Sequence, residues 1–323
     1  MKLNPAAGAI ALGALLGAAG ANALDYPARP IRLVVPFTPA GAVDILSRIV
    51  APPLSERLKQ QVVIDNRGGA NGIIGTEIVT RAAPDGYTLL MVPAGHAINP
   101  SAHKKLPFDT VRDLSPVGLI GHGAYLLVCN PQVPAKNVGE LVGWLKAQPG
   151  KVPFAASGAG NATHLAAELF ASLAGTPVLA VFYKGGGPAL NDVLGGQVPL
   201  FFATVASSVG YVRAGRLRGL AVTTARRAAA LPEVPTVSES GLPGYEVDGW
   251  YGMLAPARTP QPIVERLNRE LSAVVDTPDM RDRLTAVGVD ARASSPEELG
   301  KIIRSDIDKW AALIRRTGLR LGE

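Results

Sequence analysis

Two glycine-rich stretches decide the fold: PFTPAGAVD at 36–44 and FAASGAGNATHL at 154–165. Each follows an apolar run typical of a β-strand and precedes apolar residues at helical spacing. The start of a helix leaves about four backbone N–H groups unpaired and carries roughly half a positive charge. Two strand–turn–helix units therefore predict an α/β protein, and two helix starts that face one another predict a clamp for a small anion such as a carboxylate.

The rest of the chain repeats this alternation. Apolar runs predict strands at 31–37, 62–66, 87–93, 119–130, 152–156, 178–183, 200–204, 217–224 and 249–256. Helical spacing predicts helices at 44–58, 75–82, 138–147, 163–173, 187–194, 262–275, 280–287 and 296–317. Such alternation is typical of mainly parallel sheets covered by helices. We interpret the runs near 119–130 and 249–256 as crossings between two lobes, residues 24–122 plus 250–323 and residues 123–249, which can hinge.

Residues 1–23 have the pattern of a secretory signal peptide. Lys2 precedes a charge-free stretch rich in Ala, Gly and Leu that ends in Ala21-Asn22-Ala23, a small-residue cleavage pattern. An uncleaved anchor is the alternative, but the stretch is shorter and less apolar than the roughly 20 residues that a membrane span needs. We therefore expect cleavage before Leu24 and a protein that acts outside the cytoplasm.

Composition argues against several classes of function. The net charge of +6 is spread without a dense basic block and aromatic residues make up 5% of the chain, so nucleic-acid binding is not expected. Cys129 is the single cysteine and lies in an apolar run, which excludes an internal disulfide and favours a buried side chain. The four histidines lack metal-ligand spacing, and neither a phosphate-binding loop nor a G-x-S-x-G motif is present. We expect neither a metal nor a cofactor.

The first turn supplies small residues and one carboxylate. Ala40, Gly41 and Ala42 would let the backbone approach a ligand closely. Asp44 falls in the first helical turn, where it either fastens the helix start and the turn's own amides or acts as a general base. Two neighbours complete the candidates: Phe37, which covers an apolar ligand surface or faces the core, and Thr38, a hydroxyl donor.

The second turn is richer in candidate donors. Gly158, Ala159 and Gly160 permit a nest of consecutive amides, and Ser157 and Asn161 add polar side chains. A purely structural turn is the alternative for this segment taken alone. His164, in the opening helical turn, either braces the loop or contacts the ligand. A third turn, YKGGGP at 183–188, also precedes a helix, and its Lys184 either meets an anion or is solvated.

Several long segments carry a family resemblance. They are YPARPIRLVVPFTPAGAVD from Tyr26, VVIDNRGGANGIIGTEIVTRAAPDGYTLL from Val62, SGAGNATHLAAELF from Ser157, YKGGGPAL from Tyr183, RAGRLRGLAVTTARR from Arg213 and LPEVPTVSESGLPGYEV from Leu231. With them the chain resembles the Bug (Bordetella uptake gene) family, the extracytoplasmic receptors of tripartite tricarboxylate transporters. The resemblance implies a two-lobed periplasmic binding protein fold of type II. It also implies two loops that hold a ligand carboxylate, partly through water, and delivery of the solute to a membrane permease pair.

Carried onto this chain, the resemblance assigns the two gripping loops to residues 37–44 and 157–164, with a lesser contribution from Gly95 and His96. The chain departs from the common pattern at Ala40, where glycine is usual, and at Val43, where a hydroxyl residue is frequent. It also has Ala203 and Thr204 where many members have Asp-Asn. Ala203 cannot pair with a ligand amino group, so we expect a plain or aromatic carboxylate rather than an amino acid.

These observations predict a monomeric, periplasmic solute receptor that captures one small carboxylate between two lobes and performs no covalent chemistry. The rival interpretation is a secreted enzyme, such as a hydrolase or a decarboxylase, on the same scaffold. Such an enzyme needs converging catalytic groups, and only Asp44 and His164 are available as candidates. A cytoplasmic regulator would need a DNA-binding segment and conflicts with the leader.

Overall fold

The structure, a computed structural model, describes residues 26–103 and 105–317. The predicted signal peptide lies outside the described residues. Within these ranges no helix has the length and apolar character that crossing a membrane requires.

Strands and helices alternate over most of the described chain. The strands are β1 (Ile31–Val35), β2 (Val62–Asn66), β3 (Thr88–Pro93), β4 (Leu114–Cys129), β5 (Pro153–Ala156), β6 (Leu179–Phe182), β7 (Leu200–Thr204), β8 (Arg218–Val222), β9 (Asp248–Pro256) and β10 (Val289–Ala291). The helices are α1 (Ala42–Leu58), α2 (Ile73–Thr80), α3 (Asn99–Ala102), α4 (Val138–Lys146), α5 (Ala162–Ala174), α6 (Gly186–Leu194), α7 (Val205–Arg213), α8 (Gln261–Val275), α9 (Pro278–Ala286) and α10 (Pro296–Thr317). Short 3₁₀ turns cover Ala70–Gly72 and Ala94–Ala97.

The predicted elements are confirmed within a few residues, and the differences have local causes. Helix α7 escapes prediction because its sequence, VASSVGYVR, is rich in residues of modest helix propensity. It is held at its start by the Thr204 side chain, which caps the Ser207 amide. Strand β4 begins five residues before the predicted run and passes Pro116 at a register shift, a position where a strand tolerates proline.

The sheet is mixed. Its strand order is β2-β1-β3-β9-β4-β7-β5-β6, with β8 and β10 also pairing with β4. Strand β1 is parallel to β2 and β3, and β5 is parallel to β6 and β7. The central strands β4 and β9 make only antiparallel pairs within the described chain. The expected parallel pairing is therefore a property of the outer strands on either side of this centre.

Strands β4 and β9 connect two halves of the molecule. In β4, residues 114–124 pair with β9 beside β3, whereas residues 125–129 pair with β7 and β8. We call the part built on β1–β3 the first half and the part built on β5–β8 the second half, and refer to β4 and β9 as the crossing strands. A side chain does not fit where they approach, since a Cβ on Gly249 would lie 2.7 Å from the Gly123 carbonyl oxygen.

Both glycine-rich turns are anchored in packed cores. Helix α1 buries Leu46, Val50 and Leu54 completely. In the second half, the Phe170 ring of α5 lies 6.3 Å from Phe154 of β5 and 5.8 Å from Phe202 of β7, centroid to centroid. Because buried aromatic and aliphatic side chains fix these helices against the strands, the turns between them hold defined positions.

Candidate functional site

A cavity of about 60 Å³ lies between the two halves, at the carboxyl ends of β1 and β5. A water molecule in a protein needs roughly 10–15 Å³ by the same measure, so the cavity suits a small solute. Both halves and both crossing strands line it. The lining residues are Phe37, Gly41, Ala42, Val43, Asn71, Pro93, Gly95, Tyr125, Ser157, Asn161, Ala162, Thr163, Gly186, Phe201, Thr204, Ser207 and Tyr251.

Four helices begin at this cavity. Ala42, Ala162 and Gly186 are the first residues of α1, α5 and α6, and Thr204 is the N-cap residue of α7. The amides of Ala42, Val43 and Ala162 have no hydrogen-bond partner within the described chain. Free amides and positive helix ends from opposite halves thus converge on one space, an arrangement that favours an anion.

Asp44 braces the first turn from behind the cavity. Its carboxylate accepts hydrogen bonds from the Ala40 amide at 3.0 Å, from Asn66 at 3.1 Å and from Arg48 at 3.0 Å. Burial alone would raise the pKa of Asp44, but these hydrogen bonds outweigh it and hold that pKa below its usual value. Asp44 is 3% exposed and does not line the cavity. It therefore fixes Ala40, which adopts a left-handed φ of 64°.

In the second turn, the polar side chains form hydrogen bonds with one another. Asn161 Oδ1 accepts from the Thr163 and His164 amides, both at 3.1 Å, and from the Thr163 hydroxyl at 2.8 Å. Asn161 Nδ2 donates to Ser157 Oγ at 2.6 Å, and the Ser157 and Thr163 hydroxyl oxygens lie 3.1 Å apart. Because Thr163 gives its hydrogen to Asn161, Ser157 gives its own to Thr163. The Ser157 hydroxyl hydrogen is thereby committed within the turn.

Two of the candidate histidines lie behind the cavity lining. His164 Nδ1 accepts the Gly160 amide at 3.1 Å, its Nε2 lies 3.4 Å from Glu168, and its ring meets Phe182 edge-on. These contacts brace the turn. His96 stacks on Phe108 with 6.4 Å between centroids, and burial lowers its pKa to about 4. His96 is therefore neutral at physiological pH.

The third turn, in the second half, packs against the first turn, in the first half. A Cβ on Gly187 would lie 2.8 Å from the Pro39 carbonyl oxygen, and one on Gly185 would lie 2.5 Å from Thr38 Oγ1. Thr38 Oγ1 is buried and unpartnered among the described residues. The third turn therefore packs directly against the first turn, and Lys184 beside this contact is exposed.

The structure brings together part of the predicted site. Seven predicted residues line the cavity: Phe37, Gly41, Ala42, Gly95, Ser157, Asn161 and Thr204. The other nine lie around it without lining it: Thr38, Ala40, Asp44, His96, Gly158, Ala159, Gly160, His164 and Ala203. Sequence reasoning missed Tyr125, Phe201 and Tyr251 because each lies in an apolar run that indicates only a buried strand. Asn71 had a signal, since asparagine in a glycine-rich loop is typical of its left-handed φ of 53°.

The lining is electrically neutral in its side chains. None of the described residues that line the cavity is Asp, Glu, Lys, Arg or His. Nor does the described chain contain a cluster of three or more His, Cys, Asp or Glu side chains that could hold a metal ion. Positive potential at the cavity therefore comes from backbone amides and helix starts.

Comparisons with known proteins agree with this geometry. The model of the tripartite tricarboxylate transporter family receptor matches residues 46–319. The protein BugT of Bordetella pertussis is 35% identical over 94% of this chain and 94% of its own length. The solved periplasmic binding protein BugD has a TM-score of 0.88 and 34% identity, covering 91% of this chain and 99% of its own. An R. palustris protein solved with adipate has a TM-score of 0.89 and 34% identity over 91% of this chain and 99% of its own.

Proposed function

Because the chain belongs to the receptor family of tripartite tricarboxylate transporters, we propose that it captures a small carboxylate in the cavity between its two halves. The family and its solved relatives are solute-binding receptors with an α/β periplasmic binding protein fold. The protein is accordingly a binding protein and not an enzyme, and the secreted hydrolase or decarboxylase loses its support.

One observation carries the proposal: free amides at the starts of α1 and α5 face the same cavity from opposite halves. Ala42 and Val43 supply them from the first half and Ala162 from the second. A hydrogen bond to a charged group contributes about 1.5–3 kcal/mol. A carboxylate held by these three amides needs no arginine. The absence of an acidic side chain among the described lining residues disfavours an ammonium group there.

Closure of the two halves completes the site in this proposal. We assign residues 24–122 plus 250–323 to lobe one and residues 123–249 to lobe two, with the crossing strands as the hinge. The amides of Ala42 and Ala162 belong to different lobes, so a single carboxylate can bond both only when the lobes are together. Ligand binding would then favour the closed arrangement through its greater affinity for it.

Membership of the family supports a proposal for the location and the partners of this chain. The solved relative BugD is a periplasmic binding protein, and the proposed signal peptide at 1–23 would export this chain to the same compartment. Tripartite transporters pair such a receptor with membrane permease subunits, which are the partners proposed here. The receptor is proposed to act as a monomer.

Proline substitution at the first helical position tests the clamp directly. Proline is favoured there, and it removes the N–H that the proposal assigns to the ligand. The preceding residues already have the extended conformation that proline requires, with ψ of 165° at Gly41 and 177° at Asn161. We expect Ala42→Pro and Ala162→Pro each to weaken carboxylate binding by about 10- to 150-fold, measured by calorimetry.

One matched control keeps the backbone amide of the protein, and the other removes the charge of the ligand. Ala162→Gly retains the N–H and is expected to bind within a few-fold of the unsubstituted protein. A panel of mono-, di- and tricarboxylates is compared with the corresponding primary amides by thermal shift. At least one acid should raise the melting temperature while its amide does not. Binding of a neutral solute with no response to any carboxylate would refute the proposed function.

A further inference from the structure

Two tyrosines face the cavity from the crossing strands with no assigned role. Tyr125 of β4 and Tyr251 of β9 are 5% and 4% exposed, and both line the cavity. Neither hydroxyl forms a hydrogen bond within the described part of the chain. By contrast, the buried Tyr245 hydroxyl donates to the Ala166 carbonyl at 2.9 Å. Neither cavity hydroxyl is among the fully enclosed unpartnered atoms of the described chain, so both are uncommitted and accessible to a ligand, whereas buried hydroxyls normally have a partner in the protein.

Both phenols remain protonated. Burial raises the pKa of Tyr125, and burial together with its neighbour Tyr125 raises that of Tyr251. The two rings are close enough that a charge on one would oppose a charge on the other. Each hydroxyl can therefore donate one hydrogen bond at any physiological pH.

The other hydroxyl groups at the cavity have already given their hydrogens to the protein. Ser207 donates to the Thr204 carbonyl at 3.1 Å, and the Thr204 and Ser207 hydroxyl oxygens lie 2.8 Å apart. Thr204 thus donates to Ser207, just as Ser157 donates to Thr163 in the second turn. Among the described lining residues, the tyrosines are the hydroxyl donors that a ligand can still use.

We infer that Tyr125 and Tyr251 are specificity-determining residues that hydrogen-bond a second, oxygen-bearing group of the ligand. The inference rests on the proposed function, which places the first carboxylate on the starts of α1 and α5. Thr204 and Ser207, at the start of α7, also line the cavity, so α7 adds a positive helix end to it. A second carboxylate is therefore preferred over a hydroxyl, and a hydroxyl over a methyl group.

The size of the preference follows from the number of donors. One hydrogen bond to a charged oxygen contributes roughly 10- to 150-fold in affinity, and one to a neutral oxygen about 2- to 12-fold. An apolar ligand end would leave both hydroxyls unsatisfied, which adds to the discrimination.

The experiment uses a matched ligand series on the full mature protein. Short straight-chain acids of equal length that end in methyl, hydroxyl or carboxylate are titrated by calorimetry against the unsubstituted protein, Tyr125→Phe and Tyr251→Phe. Tyr211→Phe, outside the cavity lining, is the control. We expect at least a tenfold preference for the diacid in the unsubstituted protein, its reduction by at least tenfold in each cavity variant, and binding of the methyl-ended acid unchanged within threefold.

The outcomes separate the two proposals. If acids bind but the unsubstituted protein shows no preference for an oxygen-bearing end, the tyrosine assignment is wrong and the clamp stands. The tyrosine assignment is equally wrong if the preference survives in both phenylalanine variants. If no acid of the series and no other carboxylate binds the unsubstituted protein, both proposals fail. If a variant does not fold, the absence of a preference in the unsubstituted protein still refutes the tyrosine assignment, and the variant that folds tests its own tyrosine.

Discussion

Alanine at Gly187 should prevent full closure of the two halves. The added methyl carbon would lie 2.8 Å from the Pro39 carbonyl oxygen, about 0.6 Å nearer than the 3.4 Å at which ordinary contact begins. The obstructing atom belongs to the backbone, so no side-chain rotation relieves the contact. Gly187 is the second residue of α6, where alanine is the better helix former. The strain therefore falls on the contact between the halves and not on the helix.

The magnitude follows from the cost of inserting a methyl group into a tight contact. Overpacking costs about 1–3 kcal/mol, which corresponds to roughly 5- to 150-fold weaker ligand binding when only the closed form binds tightly. The position is outside the cavity lining, so loss of a direct ligand contact does not explain a weaker affinity. Closure is followed by small-angle scattering with and without a saturating carboxylate, and affinity by calorimetry.

The matched control is Gly143→Ala in α4. A Cβ there meets no atom within 4 Å, so the substitution should leave affinity unchanged and slightly stabilise the helix. Gly187→Ala should melt within a few degrees of the parent without ligand, yet show a smaller ligand-induced decrease in radius of gyration. An unchanged affinity together with full compaction would show that the contact between the third turn and Pro39 plays no part in closure.

Three further predictions follow from buried groups. Asn161→Ala removes the cap of α5 and should lower both the free energy of unfolding, by about 0.5–2 kcal/mol, and the ligand affinity, whereas Asn137→Ala at the start of α4 should lower stability alone. His96 has a pKa of about 4 in the folded protein, so the unfolded chain takes up the proton first and stability falls as the pH drops from about 6.5 toward 4. His96→Gln should reduce the decrease in the free energy of unfolding between pH 7 and pH 5 by about 2 kcal/mol, as measured by urea titrations. An unchanged dependence of this free energy on pH would contradict the prediction. Burial raises the pKa of Cys129 to about 11 against a smaller opposing effect of Arg218, so an aromatic disulfide reagent at pH 8 should label the thiol only after denaturation.

Much of the fold could be predicted because its local signals agree. Glycine-rich turns between an apolar strand and an amphipathic helix specify the same unit at β1–α1 and at β5–α5, and both units form as expected. The antiparallel pairing of β4 with β9 could not be read from the sequence, because a fully buried strand has the same apolar pattern in either direction.

The candidate site was harder to predict than the fold because hydrogen-bond partners are not a property of single residues. Ser157 and Asn161 have the side chains of ligand donors, yet the structure commits them largely to one another and to Thr163. Tyr125 and Tyr251 have the surroundings of core residues in the sequence, yet their hydroxyls are uncommitted at the cavity. Only the folded arrangement determines which donors are already used.

The energetics of the clamp explain why closure and the tyrosines matter together. Three free amides bonded to a carboxylate contribute about 4.5–9 kcal/mol in total, whereas a micromolar complex requires about 8 kcal/mol after the costs of association. The backbone clamp alone therefore does not provide a margin over those costs. We expect the remainder to come from Phe37 and Phe201, which line the cavity, from the packing of Gly187 against Pro39 on closure, and from the two phenols. A receptor built this way selects for the carboxylate with its backbone and for the rest of the solute with neutral side chains. Loss of either the closure contact or the phenols should weaken the binding of a dicarboxylate even though every clamp amide remains in place.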